Sequence, residues 1–285
     1  MRVGIIPASG GSFPVDPEVV SSVARRAEEV GFESIWIGEH VVMSDRERYP
    51  GADQRRVGPS PTGDLPDPLE WLTFVAARTE RILLGTAVLI LPVHRPAIIA
   101  KRVATLDRLS GGRVRLGIGV GWSEDEYEAV GESFATRGRR CDEAIDAVRA
   151  LWRDSPADHD GEFYRFRSVQ SSPKPAGGSV PVVVGGDSEA AARRAGIRGD
   201  GWLPFGKDPA ELGRLLGVLR GAAEGAGRDP GSIELTALGS LRPEALRALA
   251  DLGFTRMVLF LPSVTPQAVE DLWDRTRAAL REAGL

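Results

Sequence analysis

The sequence predicts a (β/α)8 TIM barrel with insertions at its C-terminal face, formed by residues 1–285 as a single domain. Eight short runs rich in Val, Ile and Leu alternate with segments of helical periodicity, and a chain of 285 residues has the usual length for such a barrel. Most runs are apolar at successive positions, which is typical of parallel strands covered on both faces. A doubly wound open sheet is the structural alternative. The runs are Val3–Ile6, Ser34–Gly38, Ile82–Leu89, Arg113–Gly119, Val180–Val184, Gly201–Pro204, Ile233–Leu238 and Met257–Leu261.

Several helix starts can be read directly from the sequence. Asp or Thr followed by Pro supplies an N-cap oxygen and a first-turn residue with a preset φ. Four pairs fit this pattern: Asp16-Pro17, Asp67-Pro68, Asp208-Pro209 and Thr265-Pro266. The first helix should end at Gly31, a natural residue after a helix C-terminus.

Composition limits the possible partners. The 36 basic and 40 acidic residues give a net charge of −4, which offers no field to attract nucleic acid or an anionic membrane. The longest apolar stretch, Ala87 to Val93, is far shorter than the roughly 20 residues of a membrane-spanning helix. The start of the chain is too briefly apolar for a signal peptide, and the single Cys141 fits a reducing compartment. We therefore expect a cytoplasmic protein with a small-molecule substrate.

The fourth apolar run carries glycines on one face. With a period of two, Gly117, Gly119 and Gly121 share a face opposite branched side chains. If the branched face meets the helices, the bare face lines the barrel interior near its C-terminal mouth, and a flat ring could lie against it. The alternative interpretation is tight packing against large core side chains.

Two further segments are candidates for binding or chemistry. Gly185 and Gly186 end a strand and lead through Asp187 and Ser188 into a helix, which indicates either a phosphate site or an ordinary turn. Asp187 would repel an anion if it pointed inward, so we expect it to cap the helix or face solvent.

Glu39 and His40 end the second strand. His40 could transfer a proton at neutral pH, and Glu39 could orient it or bind a hydroxyl; the alternative is a pair of ordinary loop residues. With His94 and His159 they show no metal-ligand spacing, so no metal site is predicted.

Two connections exceed the usual loop length, from Glu39 to Leu65 and from Gly119 to Ser179. Both follow the C-terminal end of a strand, where substrate contacts are expected in a barrel. The first contains four arginines, which suit either a solvated loop or a lid that captures an anion: Arg46, Arg48, Arg55 and Arg56.

Ordered motifs from the first strand to about Phe205 resemble the bacterial luciferase-like monooxygenase superfamily, and in particular its branch of coenzyme F420-dependent oxidoreductases. The most specific motifs are Gly85-Thr86-Ala87-Val88, Ala104-Thr105-Leu106-Asp107-Arg108-Leu109-Ser110-Gly111-Gly112-Arg113 and Leu116-Gly117-Ile118-Gly119-Val120-Gly121-Trp122. Further matches are Glu39-His40, Arg137-Gly138-Arg139-Arg140 and Gly185-Gly186.

The resemblance implies that a deazaflavin or flavin ring lies at the C-terminal mouth. A bulge after the third strand, often with a non-prolyl cis peptide, supports the ring in such proteins and would fall at Ala87–Val88. Glu39 and His40 match the acidic-His pair near the ring, and Gly185-Gly186 match the phosphate-contacting turn. The cofactor-binding residues expected in this way are Ala87, Val88, Gly117, Gly119, Gly121, Trp122, Gly185, Gly186, Asp187 and Ser188. Members are often dimers, so a homodimer is also an expectation.

One departure bears on the substrate. Deazaflavin-dependent sugar-phosphate dehydrogenases of the superfamily carry a catalytic glutamate where this sequence has Trp122. The resemblance thus implies an oxidoreductase that transfers a hydride between F420 and a small carbonyl, alcohol or activated double bond, with His40 as the candidate acid. An FMN-dependent monooxygenase is the alternative within the superfamily. A barrel that binds a flavin without turnover and a metal-free lyase or isomerase are alternatives of other classes.

Overall fold

The computed structural model describes residues 1–45, 60, 62–206 and 208–285. The strands are β1 (Arg2–Ile6), β2 (Ser34–Ile37), β3 (Leu83–Thr86), β4 (Leu89–Ile90), β5 (Val114–Gly119), β6 (Ala157–Asp160), β7 (Arg165–Val169), β8 (Val182–Gly185), β9 (Gly201–Leu203), β10 (Glu234–Leu238) and β11 (Arg256–Phe260). The α-helices are α1 (Pro17–Val30), α2 (Pro68–Ala76), α3 (Pro96–Ser110), α4 (Glu124–Ala129), α5 (Arg137–Arg153), α6 (Glu189–Arg198), α7 (Pro209–Gly225), α8 (Pro243–Asp251) and α9 (Pro266–Ala283).

The strands close into a parallel barrel. Going round it, β1 pairs with β2, β2 with β3, β3 and β4 with β5, and β5 with β8; β9, β10 and β11 follow, and β11 returns to β1. All eight predicted runs contain barrel strands, and the third divides into β3 and β4. The predicted (β/α)8 barrel is confirmed.

The division of the third strand comes from one extra residue. Gly85 pairs with Arg115 and Leu89 pairs with Ile118, so four residue steps on this strand oppose three on β5. The additional residue forms a bulge at the mouth of the barrel. The peptide bond between Ala87 and Val88, within this bulge, is cis, as the resemblance implied.

The helices begin where the Pro-containing pairs predict. Asp16, Asp67, Asp208 and Thr265 each accept backbone N–H groups of the first turn of α1, α2, α7 and α9. The first helix ends at Gly31, whose φ of 111° suits glycine. Sequence patterning thus placed these four helix starts correctly, because capping is a local property.

The core lies mainly between the strands and the helices. Val114, Leu116 and Ile118 on β5 belong to this layer. This agrees with the expectation that the face of this strand with branched side chains meets the helices. A smaller cluster fills the barrel interior, where Trp36 packs with Ile6 and Val258.

Cys141 on α5 is fully buried, and burial raises the pKa of its thiol to about 12. The thiol is therefore an unreactive member of the core.

The antiparallel hairpin of β6 and β7 was not predicted. Its strands are mostly polar and lack an apolar alternation, so no periodic signal marks them. The hairpin packs along α5, where Glu143 accepts the backbone N–H groups of Phe163 and Tyr164. None of the described helices is long and apolar enough to cross a membrane.

Candidate active site at the barrel mouth

The end of β2 and the bulge of the third strand are joined by backbone hydrogen bonds. The Ala87 N–H donates to the Ile37 carbonyl at 2.7 Å, and the Glu39 N–H donates to the Val88 carbonyl at 3.1 Å. A Cβ on Gly38 would lie 3.2 Å from the Ala87 carbonyl oxygen. These contacts place Glu39 and His40 directly beside the cis peptide bond.

The glycines of β5 face the barrel interior, but the space beside them is filled. A Cβ on Gly117 would overlap the Thr86 carbonyl, and a Cβ on Gly119 would lie 2.5 Å from Val88 Cγ2. The prediction of an open slot for a ring against this face is therefore wrong. The bulge brings an extra residue into the interior, and the glycines make room for it. A ring that contacts Ala87 and Val88 would have the bulge between itself and β5.

The third glycine lies at a turn. Gly121 has a φ of 68°, and a Cβ there would lie 2.9 Å from Ile90 Cγ2. Tyr127 packs beside it and donates its hydroxyl hydrogen to the Val120 carbonyl at 2.7 Å. Burial raises the pKa of Tyr127 above its usual value, so this phenol stays a hydrogen-bond donor.

Glu39 is buried and uses both carboxylate oxygens within the protein. Oε2 accepts the Ile90 N–H at 2.6 Å, and Oε1 lies 2.9 Å from Nε2 of His94. Its side chain is only 4% exposed. Glu39 thus ties the β4 segment to the end of β2 and supports the bulge. A catalytic role for Glu39 stays a prediction.

His40 pairs with a residue that the sequence interpretation did not select. Its Nδ1 lies 3.2 Å from Oε2 of Glu126, while Oε1 of Glu126 accepts the Val41 N–H at 2.6 Å. Of the two roles considered for Glu39, orientation of His40 is wrong, because both Glu39 oxygens are engaged by Ile90 and His94.

The position of Glu126 follows from the start of α4. Ser123 is the N-cap of this helix, and its hydroxyl accepts the Glu126 N–H at 3.1 Å. Trp122 precedes the cap, and its ring packs edge-on against the His40 ring with centroids 5.5 Å apart. The Ser-x-x-Glu capping pattern at 123–126 was a signal that could have drawn attention to Glu126.

The turn after β8 approaches the bulge from the other side. A Cβ on Gly185 would overlap Val88, and Gly186 has a φ of 112°. Ser188, not Asp187, caps α6 by accepting the Ala191 N–H at 3.2 Å. The absence of a side chain at Gly185 makes room for Val88. The phosphate role of this turn stays a prediction.

Arginines cluster where α5 begins. The Arg137 guanidinium lies over the Phe134 ring at 3.7 Å. Arg95 and Arg140 share the Glu132 carboxylate at 3.3 and 3.0 Å, so this cluster carries excess positive charge. The four arginines of the first insertion lie outside the described residues. Over the part of the chain that the structure covers, no three His, Cys, Asp or Glu residues converge as metal ligands.

The structure is a closed (β/α)8 barrel with ionisable side chains at the C-terminal ends of its strands. In enzymes of this fold class, the active site lies at this mouth. Residues 6–282 match the family described as luciferase-like monooxygenase. The chain therefore belongs to the luciferase-like monooxygenase family.

The relatives include uncharacterized and characterized proteins. An uncharacterized protein of Mycobacterium tuberculosis is 35% identical over 247 residues, covering 83% of each chain. An F420-dependent glucose-6-phosphate dehydrogenase of Nocardia farcinica is 35% identical over 226 residues, covering 76% of this chain and 62% of the relative. Among solved structures, an F420-dependent secondary alcohol dehydrogenase superposes with a TM-score of 0.78 at 21% identity, over 99% of this chain and 98% of the other. This last likeness concerns the fold.

Proposed function

We propose that this protein is an oxidoreductase that transfers a hydride between the deazaflavin coenzyme F420 and a small carbonyl, alcohol or activated double bond. The observation that carries the proposal is the 35% identity to an F420-dependent dehydrogenase over 76% of this chain. The bulge at Ala87 and Val88, which the resemblance associated with support of the ring, is present and lies beside His40.

The residues at the mouth suit a flat, anionic cofactor. Ala87 and Val88 are both partly exposed, so one surface of the bulge is accessible to a ring. Val88 packs closely against Gly119 and Gly185, so the exposed surface of the bulge has little freedom to shift. Arg137 and the Arg95–Arg140 cluster supply positive charge for a phosphate or an acidic tail.

In the proposed reaction, the cofactor supplies the redox chemistry, because when bound it accepts or donates the hydride. The chain binds and orients the reactants and moves the proton. His40 is the proposed proton carrier, because its Nε2 has no hydrogen-bond partner among the residues that the structure describes. Trp122 occupies the place of the sugar-phosphate dehydrogenases' glutamate, which favours a different substrate.

The second candidate is an FMN-dependent monooxygenase. The family description favours it, since luciferase-like monooxygenases give the family its name. The first insertion favours F420, because this coenzyme carries an acidic oligoglutamate tail and the sequence of the insertion contains four arginines that suit it.

Separate titrations with F420 and FMN distinguish these candidates. Binding is followed by quenching of tryptophan fluorescence, with Trp122→Phe to isolate the signal at the mouth and Trp273→Phe, on remote α9, as the matched control. We expect tighter binding of F420 than of FMN and a smaller quenching amplitude only in Trp122→Phe. Tighter binding of FMN would reverse the choice of cofactor.

Turnover is then measured with F420 and a panel of secondary alcohols, carbonyls and enones. Reduction or oxidation of the deazaflavin by at least one member supports the oxidoreductase. Intact binding without turnover of either cofactor would favour a non-catalytic flavin-binding barrel. Failure to bind any flavin would favour a lyase or isomerase instead.

A further inference from the structure

Glu126 is a carboxylate with a 0% exposed side chain, held at the edge of the candidate site. Burial of a carboxylate is costly unless hydrogen-bond donors satisfy both of its oxygens. One oxygen accepts the Val41 N–H at 2.6 Å, and the other faces Nδ1 of His40 at 3.2 Å. A carboxylate in its ionised form can only accept hydrogen bonds, and in that form its donor on the His40 side is Nδ1–H.

We propose that Glu126 is a positioning residue that fixes the tautomer of His40, with the hydrogen on Nδ1 and the lone pair of the neutral ring on Nε2. This inference rests on the proposed function. It assigns the proton-carrying atom of His40 to Nε2, the ring nitrogen on the side away from Glu126.

The consequence for an alcohol substrate is a defined path for the proton. In the oxidation of an alcohol, the O–H bond would break and its proton would go to Nε2 of His40, while the C–H hydride would go to the bound deazaflavin and the C=O bond would form. In the opposite direction, protonated His40 would return that proton to the carbonyl oxygen, while the reduced deazaflavin would supply the hydride to carbon. A fixed tautomer keeps Nε2 in the correct state for either direction.

The other carboxylate–histidine pair at the mouth has a different arrangement. Glu39 also divides its oxygens between a backbone N–H and a histidine, but it engages Nε2 of His94 and the Ile90 N–H. Both of these partners belong to the segment that follows the bulge. Glu39 therefore supports the backbone there, whereas Glu126 sets the chemical state of the ring at the site.

Glu126→Gln tests the proposal with almost no change of shape. Glutamine has a single side-chain oxygen, and the Val41 N–H, which can only donate, retains it. The side-chain NH2 then faces Nδ1 of His40 and donates to it, so the ring hydrogen moves to Nε2. We expect this substitution to invert the tautomer. Glu128→Gln, the same change on an exposed residue of α4, is the matched control.

The direct measurement is histidine ¹⁵N NMR on the cofactor-free protein at about pH 8, where an ordinary histidine is neutral. The chain has only three histidines, and the signal lost in His40→Ala identifies His40. We expect an Nδ1–H tautomer in the wild type and in Glu128→Gln, and an Nε2–H tautomer in Glu126→Gln. A wild-type His40 with its hydrogen on Nε2 overturns the proposal, even if the variant does not fold. An unchanged tautomer in a folded Glu126→Gln overturns it as well.

Kinetics with the loaded enzyme provide the second measurement. Glu126→Gln should lower kcat by about 100-fold while KM changes little, because a misplaced hydrogen disables proton transfer and not binding. Equal kcat values for Glu126→Gln and Glu128→Gln would contradict the positioning role. Since the NMR experiment needs no cofactor, failure of F420 to bind would count against the proposed function alone.

Discussion

The two ends of the barrel use carboxylates in different ways. At the N-terminal ends of the strands, Glu33 and Glu234 pair with the guanidinium of Arg256, whose side chain is 0% exposed. At the C-terminal mouth, Glu39 and Glu126 pair with histidines and backbone N–H groups. The first arrangement pairs carboxylates with a guanidinium, which stays charged, whereas the second pairs them with imidazoles, the side-chain type that most often transfers protons in enzymes.

The bottom network is built for stability. Arg256 donates to both oxygens of Glu33 at 2.6 and 2.8 Å, and Arg2 donates to Glu234 at 2.7 Å. Burial alone would raise the pKa of the Glu33 carboxyl, but hydrogen bonds from Arg256 and its positive charge outweigh burial and keep that pKa below its usual value. In this barrel, the carboxylates at the candidate site differ from the structural ones in their partners, which are side chains able to transfer a proton.

Arg256→Met should have the largest effect on stability. It removes a buried cation and leaves Glu33 and Glu234 to share the more exposed Arg2, at a cost of about 3 kcal/mol. Denaturant unfolding measures the loss, with Arg242→Met in an exposed ion pair as the matched control, expected within about 0.5 kcal/mol of the wild type. Turnover per folded molecule should be retained. A loss below about 1 kcal/mol would mean that the bottom network is not a stabilising element.

His40→Ala should show the opposite pattern. We expect turnover per folded molecule to fall by about 100-fold, because a general acid–base group is lost, while cofactor affinity changes little. The unfolding free energy should fall by only about 1–2 kcal/mol, because the buried Glu126 carboxylate loses one hydrogen-bond donor. Single-turnover reduction of the cofactor measures the effect. His159→Ala, on the β6–β7 hairpin, is the control and should retain turnover. Unchanged single-turnover rates in His40→Ala would remove this residue from the mechanism.

Gly119→Ala tests the packing that supports the mouth. The new Cβ would lie 2.5 Å from Val88 Cγ2 but 3.5 Å from Val88 Cβ. We expect a destabilisation of about 2 kcal/mol and weaker cofactor binding, because the bulge must move. Adding Val88→Ala removes the clashing methyl group and should restore most of the stability. No improvement in the double variant, measured by denaturant unfolding, would contradict the assigned packing.

Glu33→Gln should have the smallest effect, and the effect should depend on pH. A carboxyl whose folded pKa is lowered contributes stability that is complete above its unfolded pKa of about 4.3 and lost as the pH falls through the folded pKa. The variant should be about 1.5 kcal/mol less stable than the wild type at neutral pH. This difference should shrink below about pH 4. The exposed Glu244→Gln is the control, and a pH-independent difference would argue against an ionised Glu33 in the network.

The fold was largely predictable because its signals are local. The apolar runs identified all eight barrel strands, and the Asp-Pro and Thr-Pro pairs marked four helix starts. The polar β6–β7 hairpin was missed because its strands are defined by packing on α5 and not by periodicity.

The site was predictable only in part. Glu39, His40 and the glycines were selected correctly as residues near the mouth, but their partners were not. The pairing of His40 with Glu126 spans 86 positions, and the filling of the glycine face by Val88 depends on a bulge in a neighbouring strand. Such contacts arise from the closed barrel and leave no periodic signal in the sequence.

We propose that the mouth binds a deazaflavin with the bulge on one side and His40 at its edge. A crystal structure of the protein soaked with F420 tests this placement most directly. We expect a ring in contact with Ala87 and Val88, with its reactive edge towards Nε2 of His40. A ring bound elsewhere, or one with His40 out of reach of any substrate beside it, would contradict the proposal.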